Sequence, residues 1–266
     1  KQNQYRIIVW EKASCKIFFC DIRIIMVIIE SSGITDIGRK RKNNEDCLFL
    51  DDDQRLYVVA DGMGGHQAGE VASKLVVETI QKYMKRFGEE KGRMADRLLS
   101  SIHLANQVIF RASCTKNSYQ GMGSTVSAVC FTDNTVIAAN VGDSPIYLVR
   151  DKKIKLLSVI HNLLAEQTAI DPAGAKYLSS ISKHILTRAI GIEKTVRPDI
   201  CEVQYFKDDI VVIGSDGLSD KVSPEEIVAV VNKENPDKAC KTLVDLANKY
   251  GGDDNITIII LKVKGP

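Results

Sequence analysis

No Cys-x-x-Cys pair occurs in this chain, although it carries seven cysteines (Cys15, Cys20, Cys47, Cys114, Cys130, Cys201 and Cys240). The four histidines are too far apart for a finger-type zinc site. An odd, scattered set of thiols lying partly in apolar runs reads as small core residues. A reducing, cytoplasmic compartment is therefore expected. Charge of one sign is also lacking: 36 basic and 34 acidic residues leave a net charge of +2. Nothing in that balance steers the chain towards nucleic acid or an anionic membrane, and the local run Arg39-Lys40-Arg41-Lys42 reads as a solvated turn. Long hydrophobic runs are absent too. Residues 17–29 are apolar, but Asp21 and Arg23 interrupt them and Ile24 to Ile29 is the longest uncharged stretch. A membrane span needs roughly 20 mostly apolar residues, and a secretory signal needs a cleaner core. No Walker A sequence appears, which argues against a P-loop NTPase. No Pro/Ser linker, repeat or low-complexity segment divides the 266 residues.

What is present is ordinary globular composition, 44% hydrophobic and 26% charged. Residues 1–30 form an extension of open role: either Met26 is the natural initiator with added sequence before it, or the segment supplies an edge strand. From Ser31 onwards the pattern sharpens into one domain, 31–266. Asp46 to Leu50 and Arg55 to Ala60 read as strands joined by Asp51-Asp52-Asp53. Apolar residues recur at helical spacing from Val71 to Met84, before Gly88, and again from Met94 to Ala112. Thr125 to Phe131, Thr135 to Val141 and Ile146 to Val149 read as three strands following one another in hairpin fashion. Residues 160–185 look like an irregular, polar loop or flap. Strands are expected near Ile200 to Tyr205 and Ile210 to Gly214. Ser223-Pro224-Glu225-Glu226 carries a serine cap, proline at the first helical position and glutamate two residues on. Asn235-Pro236 opens another helix, and Asn255 to Val263 closes the chain as a strand. Hairpin-linked strands with paired helices predict an α+β fold with antiparallel sheets.

Acids recur at glycine- and asparagine-bearing signals: Asn44-Glu45-Asp46, Asp61-Gly62-Met63-Gly64-Gly65-His66, Gly142-Asp143-Ser144, Ser215-Asp216-Gly217-Leu218-Ser219-Asp220 and Gly252-Asp253-Asp254-Asn255. Any one Asp-Gly pair is an ordinary turn. Several of these, however, directly follow apolar strand-like runs, which sets a carboxylate at the rim of a sheet. Acids converging on one rim repel unless cations lie between them, and oxygen-only ligation suits Mg²⁺ or Mn²⁺ rather than zinc.

Arg41 with Asn44-Glu45-Asp46, the Asp61 to His66 run, Gly121-Met122-Gly123-Ser124-Thr125, Gly142-Asp143-Ser144, Leu186-Thr187-Arg188-Ala189-Ile190-Gly191, Ser215-Asp216-Gly217-Leu218 and Asp254-Asn255 stand in a familiar order. From about residue 32 to 264 the chain resembles the metal-dependent protein phosphatases (PPM, protein phosphatase 2C), in their compact bacterial form. The resemblance implies a central antiparallel β-sandwich flanked by helix pairs, with four layers and the metals at one end. It implies hydrolysis of phosphoserine and phosphothreonine in phosphoproteins, the substrates of a serine/threonine kinase, by direct attack of a metal-bound water or hydroxide. A monomer is expected. The alternative is a catalytically weak binding module of the same fold, whose signature would be a lost metal acid; Asp61, Asp216 and Asp254 are all present.

By the same resemblance two Mn²⁺ or Mg²⁺ ions are bound tightly. Asp61 bridges them, the Gly62 carbonyl joins the second, and Asp216 and Asp254 complete the first. Glu45 and Asp46 hold the second metal's waters. Arg41 clamps the phosphate, since its fork holds two phosphoryl oxygens at once. Asp143 and Asp220 match the acids that hold a third, weaker metal in parts of the family. Asp220 also reads as a plain helix-start residue. Two readings stand for His66, a general acid for the serine leaving group or a structural residue.

The chain departs from the family pattern where Pro145 replaces the usual arginine and where Ile160-His161-Asn162 replaces Asp-His-Ser. Both departures are expected near the substrate approach, and His161 reads as structural. Other phosphatase classes are excluded by their missing motifs: no cysteine has arginine six positions on, and Gly-Asn-His-Glu is absent.

Overall fold

The computed structural model describes residues 27–65, 68–86, 93–178 and 180–265. In chain order the elements are β1 (Ile28–Asp36), β2 (Asp46–Asp51), β3 (Leu56–Met63), α1 (Ala68–Arg86), α2 (Met94–Thr115), β4 (Gly123–Ser124), β5 (Val126–Phe131), β6 (Thr135–Val141), β7 (Ile146–Arg150) and β8 (Lys153–Leu156). They continue with α3 (Leu163–Ile170), β9 (Asp199–Gln204), β10 (Ile210–Gly214), α4 (Asp216–Ser219), α5 (Pro224–Val231), α6 (Pro236–Lys249) and β11 (Ile256–Gly265).

The strands form two antiparallel sheets. One runs β1-β11-β10-β7-β8 and the other β2-β3-β5-β6-β9, with the short β4 paired to β3. Alternation along β3 explains the layering. Tyr57 and Val59 face the opposite sheet and pack with Val129, Ile213, Ile259 and Leu261. Leu56, Val58 and Ala60 point the other way, onto Val76 and Ile80 of α1 and Leu98 and Ile102 of α2. On the far side Val212, Ile258 and Ile260 pack beneath Ile227 of α5 and Leu243 of α6. Sheets covered on both faces need apolar residues at successive positions, which is why β3 and β10 read as unbroken hydrophobic runs. The layers are α-β-β-α, as expected.

Local signals place the helix starts. Ser223 accepts the Glu226 amide at 3.3 Å while the Glu226 carboxylate accepts the Ser223 amide at 3.0 Å, a complete capping box. Asn235 caps α6 by accepting the Lys238 amide at 2.9 Å.

Two expectations need correction. The third strand of the predicted hairpin series does not pair with the second: β7 joins β10 in the other sheet. The chain crosses between sheets at Gly142–Pro145, where Gly142 adopts φ +106°, in the region that favours glycine. A Cβ at Gly142 would also lie 2.6 Å from the Thr125 side chain. Residues 160–185, expected to be irregular, contain α3, capped by Asn162 accepting the Ala165 amide at 2.9 Å, and two 3-10 turns. With no buried residue of its own, α3 lacks the apolar stripe by which helices are recognised in sequence. His66 and residues 1–26 lie outside the described residues.

Candidate metal centre

The rim acids meet at one end of the sandwich because the strands that precede them end there. Asp61 stands near the end of β3, opposite Asp46 in the β2–β3 ladder. Its backbone is fixed on both sides: the Asp61 amide donates to Thr125 Oγ1 at 3.0 Å, and its carbonyl accepts from the Thr125 amide at 2.8 Å. Asp216 opens α4 directly after β10. Asp254 lies in the loop before β11, and its Oδ2 accepts from Arg41 Nη2 at 2.6 Å. Asp143 follows Gly142 at the sheet crossover and is mostly buried.

Glycine at position 62 is a steric requirement. A Cβ there would lie 2.0 Å from the Gly69 carbonyl oxygen and 2.7 Å from that of Glu45. The Gly62 amide donates to the Glu45 carbonyl at 3.1 Å, so β3, the Glu45 turn and the start of α1 meet with no side chain between them.

One cleft of about 900 Å³ gathers Arg41, Glu45, Asp61, Gly62, Asp143, Asp216 and Asp254. Asp46 lies behind them, 8% exposed. Its Oδ2 accepts from Thr257 Oγ1 at 2.6 Å and Ser215 Oγ at 2.8 Å, while its Oδ1 is buried without a hydrogen-bond partner. Asp216 Oδ1 is likewise buried and unpartnered. Asp220 sits at the C-terminal end of α4, not at a helix start, and pairs with Lys183 Nζ at 2.5 Å.

The electrostatics of the cleft follow from this packing. Burial, and then the charges of Asp46, Asp216 and Asp254, hold the Asp61 carboxyl well above its ordinary range. Burial pushes Asp46 up to about 7, against the lowering effect of Thr257 and Ser215. Asp143 is pushed to about 7 by burial and by the Asp216 charge. Asp216 rises to about 6 through burial and its neighbours Asp254 and Asp220. Crowded, raised carboxyls that leave buried oxygens unpartnered fit a divalent cation, which replaces repulsion with attraction. The donors are all oxygens, suited to Mn²⁺ or Mg²⁺.

Several residues that support the cleft were not assigned a part from sequence. Asn255 is the hub of the arginine loop. Its Oδ1 accepts the Glu45 amide at 2.8 Å, and its Nδ2 donates to the carbonyls of Ile37 at 3.0 Å and Asn43 at 2.9 Å. Only its place beside Asp254 hinted at this. Thr257 of β11 and Ser215, at the start of α4, orient Asp46 from positions distant in sequence. Thr125 Oγ1 and Ser144 Oγ, 2.9 Å apart, tie the Asp61 strand to the Asp143 loop.

His161 is structural. It is fully buried, and its Nδ1 accepts the Gly142 amide at 3.1 Å, which leaves Nε2 to donate to Asp199 at 2.8 Å. Arg188 Nη1 donates to the same Asp199 oxygen at 2.6 Å. Both departures from the family pattern bear on the cleft from behind it: Asn162 hydrogen-bonds the carboxylate of Asp143, which lines the cleft, and Pro145 lies two residues beyond Asp143. Pro145 is buried at the crossover and accepts the Gly214 amide at 3.1 Å, and neither it nor Ile160 lines the cleft.

Comparison with known proteins agrees with this geometry. Residues 31–256 match the family model of Protein phosphatase 2C. A protein phosphatase 2C-type protein of Streptococcus pyogenes is 36% identical over 233 residues, covering 85% of this chain and 94% of its own. The serine/threonine phosphatase stp of Listeria monocytogenes is 32% identical over 238 residues, 86% of this chain and 93% of its own. The catalytic domain of the serine/threonine protein phosphatase PstP, solved with two manganese ions, superimposes with a TM-score of 0.80 at 28% identity. It covers 90% of this chain and all of that one (100%). A matching family profile over most of the length, a shared fold and a rim of acids in the right order lead to one conclusion: this chain belongs to the protein phosphatase 2C family of metal-dependent phosphoprotein phosphatases.

Proposed function

We propose that the chain hydrolyses phosphoserine and phosphothreonine in phosphoproteins made by a serine/threonine kinase, with water attacking phosphorus directly and no phosphoenzyme intermediate. It acts as a cytoplasmic monomer. Among the described residues no helix is long and apolar enough to cross a membrane. The observation that carries this reading is the pair of buried, unpartnered oxygens, Asp46 Oδ1 and Asp216 Oδ1, beside a cleft lined by Arg41 and four further acids of the metal set, Glu45, Asp61, Asp143 and Asp254.

Asp61, Asp216, Asp254 and the Gly62 carbonyl would hold two Mn²⁺ or Mg²⁺ ions, with Glu45 and Asp46 completing the second site. Asp143 and Asp220 would serve a third, weaker one. When bound, such ions neutralise phosphoryl charge and acidify the attacking water. The chain's own residues supply the rest. Arg41 presents its guanidinium fork to the phosphate, and Asp254 holds that fork at the cleft edge before substrate arrives. Asn255 keeps the Arg41 loop and the Asp254 loop together. Thr125 fixes the Asp61 backbone, so the central carboxylate is set in place in advance. His66 is proposed as the proton donor to the leaving serine or threonine oxygen, with a structural part as the alternative.

The test is hydrolysis of matched phosphoserine, phosphothreonine and phosphotyrosine peptides with and without Mn²⁺. Metal-dependent turnover of the first two supports the reading. A preference for phosphotyrosine, or full turnover in chelator, overturns it.

A further inference from the structure

The 3-10 turn Ser180–His184 ends in two residues that face the metal rim from the segment between α3 and β9. Lys183 Nζ lies 2.5 Å from Asp220 Oδ1, and His184 Nδ1 lies 3.7 Å from Asp220 Oδ2. Ligand atoms of His184, Asp216 and Asp220 all fall within 4.8 Å of one another. Asp216 contributes the second, independent observation, because its buried Oδ1 has no hydrogen-bond partner. His184 is exposed and lines the same cleft as Asp143 and Asp216.

We propose that His184 is a ligand for the weaker cation, which it holds together with Asp220 and the carboxylate of Asp216. The proposal rests on the third-cation reading above and adds to it a nitrogen donor from outside the acid motifs. The spacing suits one ion. With metal–ligand bonds of roughly 2.1 Å, opposite ligand atoms of an octahedral ion stand about 4.2 Å apart. The His184–Asp220 separation is within that span, and an exposed imidazole reaches the remaining few tenths of an ångström by a small rotation.

Two properties follow. Imidazole is a poor partner for Mg²⁺ and a better one for transition ions. The third site therefore discriminates for Mn²⁺, whereas the all-oxygen pair accepts either ion. Lys183 places an ammonium on Asp220 Oδ1, so an incoming ion competes with a resident positive charge. That competition makes the third site the weak one.

The experiment uses the full chain, with Mn²⁺ as the probe. Binding is followed by calorimetry, and nitrogen ligation by ¹⁴N modulation in the pulsed EPR of the added ion. Wild type should take up a third Mn²⁺ with a ¹⁴N signal. His184→Ala should lose that signal and weaken the third site about tenfold (about 1.4 kcal/mol), with the two tight ions and the melting temperature unchanged. Lys183→Met should tighten the third site while keeping the ¹⁴N signal. Persistence of the ¹⁴N signal in His184→Ala, or an unchanged third-site affinity, overturns the histidine ligand while leaving a third cation in place. Wild type that saturates at two ions removes the third-cation reading itself, and this proposal with it.

Discussion

Asp46 and Asp61 stand directly opposite each other in the antiparallel β2–β3 ladder. Like charges at such a position destabilise a sheet, yet this pair is set beside two further acids, Asp216 and Asp254. Two hydroxyls share one oxygen of Asp46 and nothing satisfies the other. The ladder is arranged for cations, and its stability and chemistry should both depend on them.

Replacing Asp216 by Asn removes a charge from the centre while keeping its size. Turnover of p-nitrophenyl phosphate should fall by at least a hundredfold, about 3 kcal/mol of transition-state stabilisation. Chelation with EDTA should abolish wild-type activity, and Mn²⁺ should restore it. An Asp216→Asn enzyme as fast as wild type at saturating Mn²⁺ would remove this residue from the metal set.

Thermal stability in chelator should fall as pH rises. Asp46 and Asp143 are raised to about 7 and Asp216 to about 6, from an ordinary value of 3.8. An acid with a raised folded-state pKa binds its proton more tightly when folded. Its contribution is complete below the unfolded value and is lost as pH rises through the folded one. The window is therefore about pH 4 to 7. Asp61 and Glu45, also raised by burial, act in the same direction, while His161 and Asp199, both held below their ordinary values, act in the opposite one. Mn²⁺ binding needs deprotonated carboxylates, so added metal should reverse the slope. Melting curves at several pH values with EDTA and with Mn²⁺ decide the point; a flat or rising profile in EDTA contradicts the burial argument.

Arg41→Lys keeps the charge and loses the fork. KM for a phosphopeptide should rise about tenfold, roughly 1.4 kcal/mol, with a smaller change in kcat. Steady-state kinetics at saturating Mn²⁺ provide the check. A drop confined to kcat would mean that Arg41 acts on the reaction rather than on phosphate binding.

Thr257→Val is nearly isosteric, yet it removes the hydroxyl donated to Asp46 at 2.6 Å and the 2.7 Å contact with Thr35 Oγ1, which keeps only its bond from Asn44 Nδ2. A lost hydrogen bond to a charged group costs about 2 kcal/mol. Urea unfolding at pH 8 should reveal that loss, and Mn²⁺ titration a weaker tight site. Wild-type stability in the variant would mean that Ser215 alone is enough to orient Asp46.

A chain starting at Met26 should fold and keep its activity. Val27 is buried at 7% exposure, and β1 pairs with β11 from Ile28 onwards. Starting at Thr35 instead removes most of an edge strand and should cost solubility and metal binding. Activity assays and calorimetry on both truncations test this, and loss of function at Met26 would assign residues 1–25 a part in the fold.

The sequence by itself determined the secondary elements with strong periodicity or caps, and the acids that matter. The β3 and β10 runs, the capping box at Ser223 and the motif acids are local facts: each is set by side-chain alternation, by a reachable backbone amide or by a residue type at a fixed place. Tertiary structure alone decided which strands share a sheet. The turn at Gly142–Pro145 looks like a hairpin locally, and only the need to cover both faces of the sandwich sends β7 across to β10. The same holds around the metal rim. Asp46 is steered by Thr257, more than 200 residues away in sequence, and Asn255 binds a loop at Ile37 and Asn43. Lys183 and His184 meet Asp220 from a segment with no periodicity of its own. Such partners share no sequence spacing; they are neighbours only because burying both sheets fixes where the loops between them must meet.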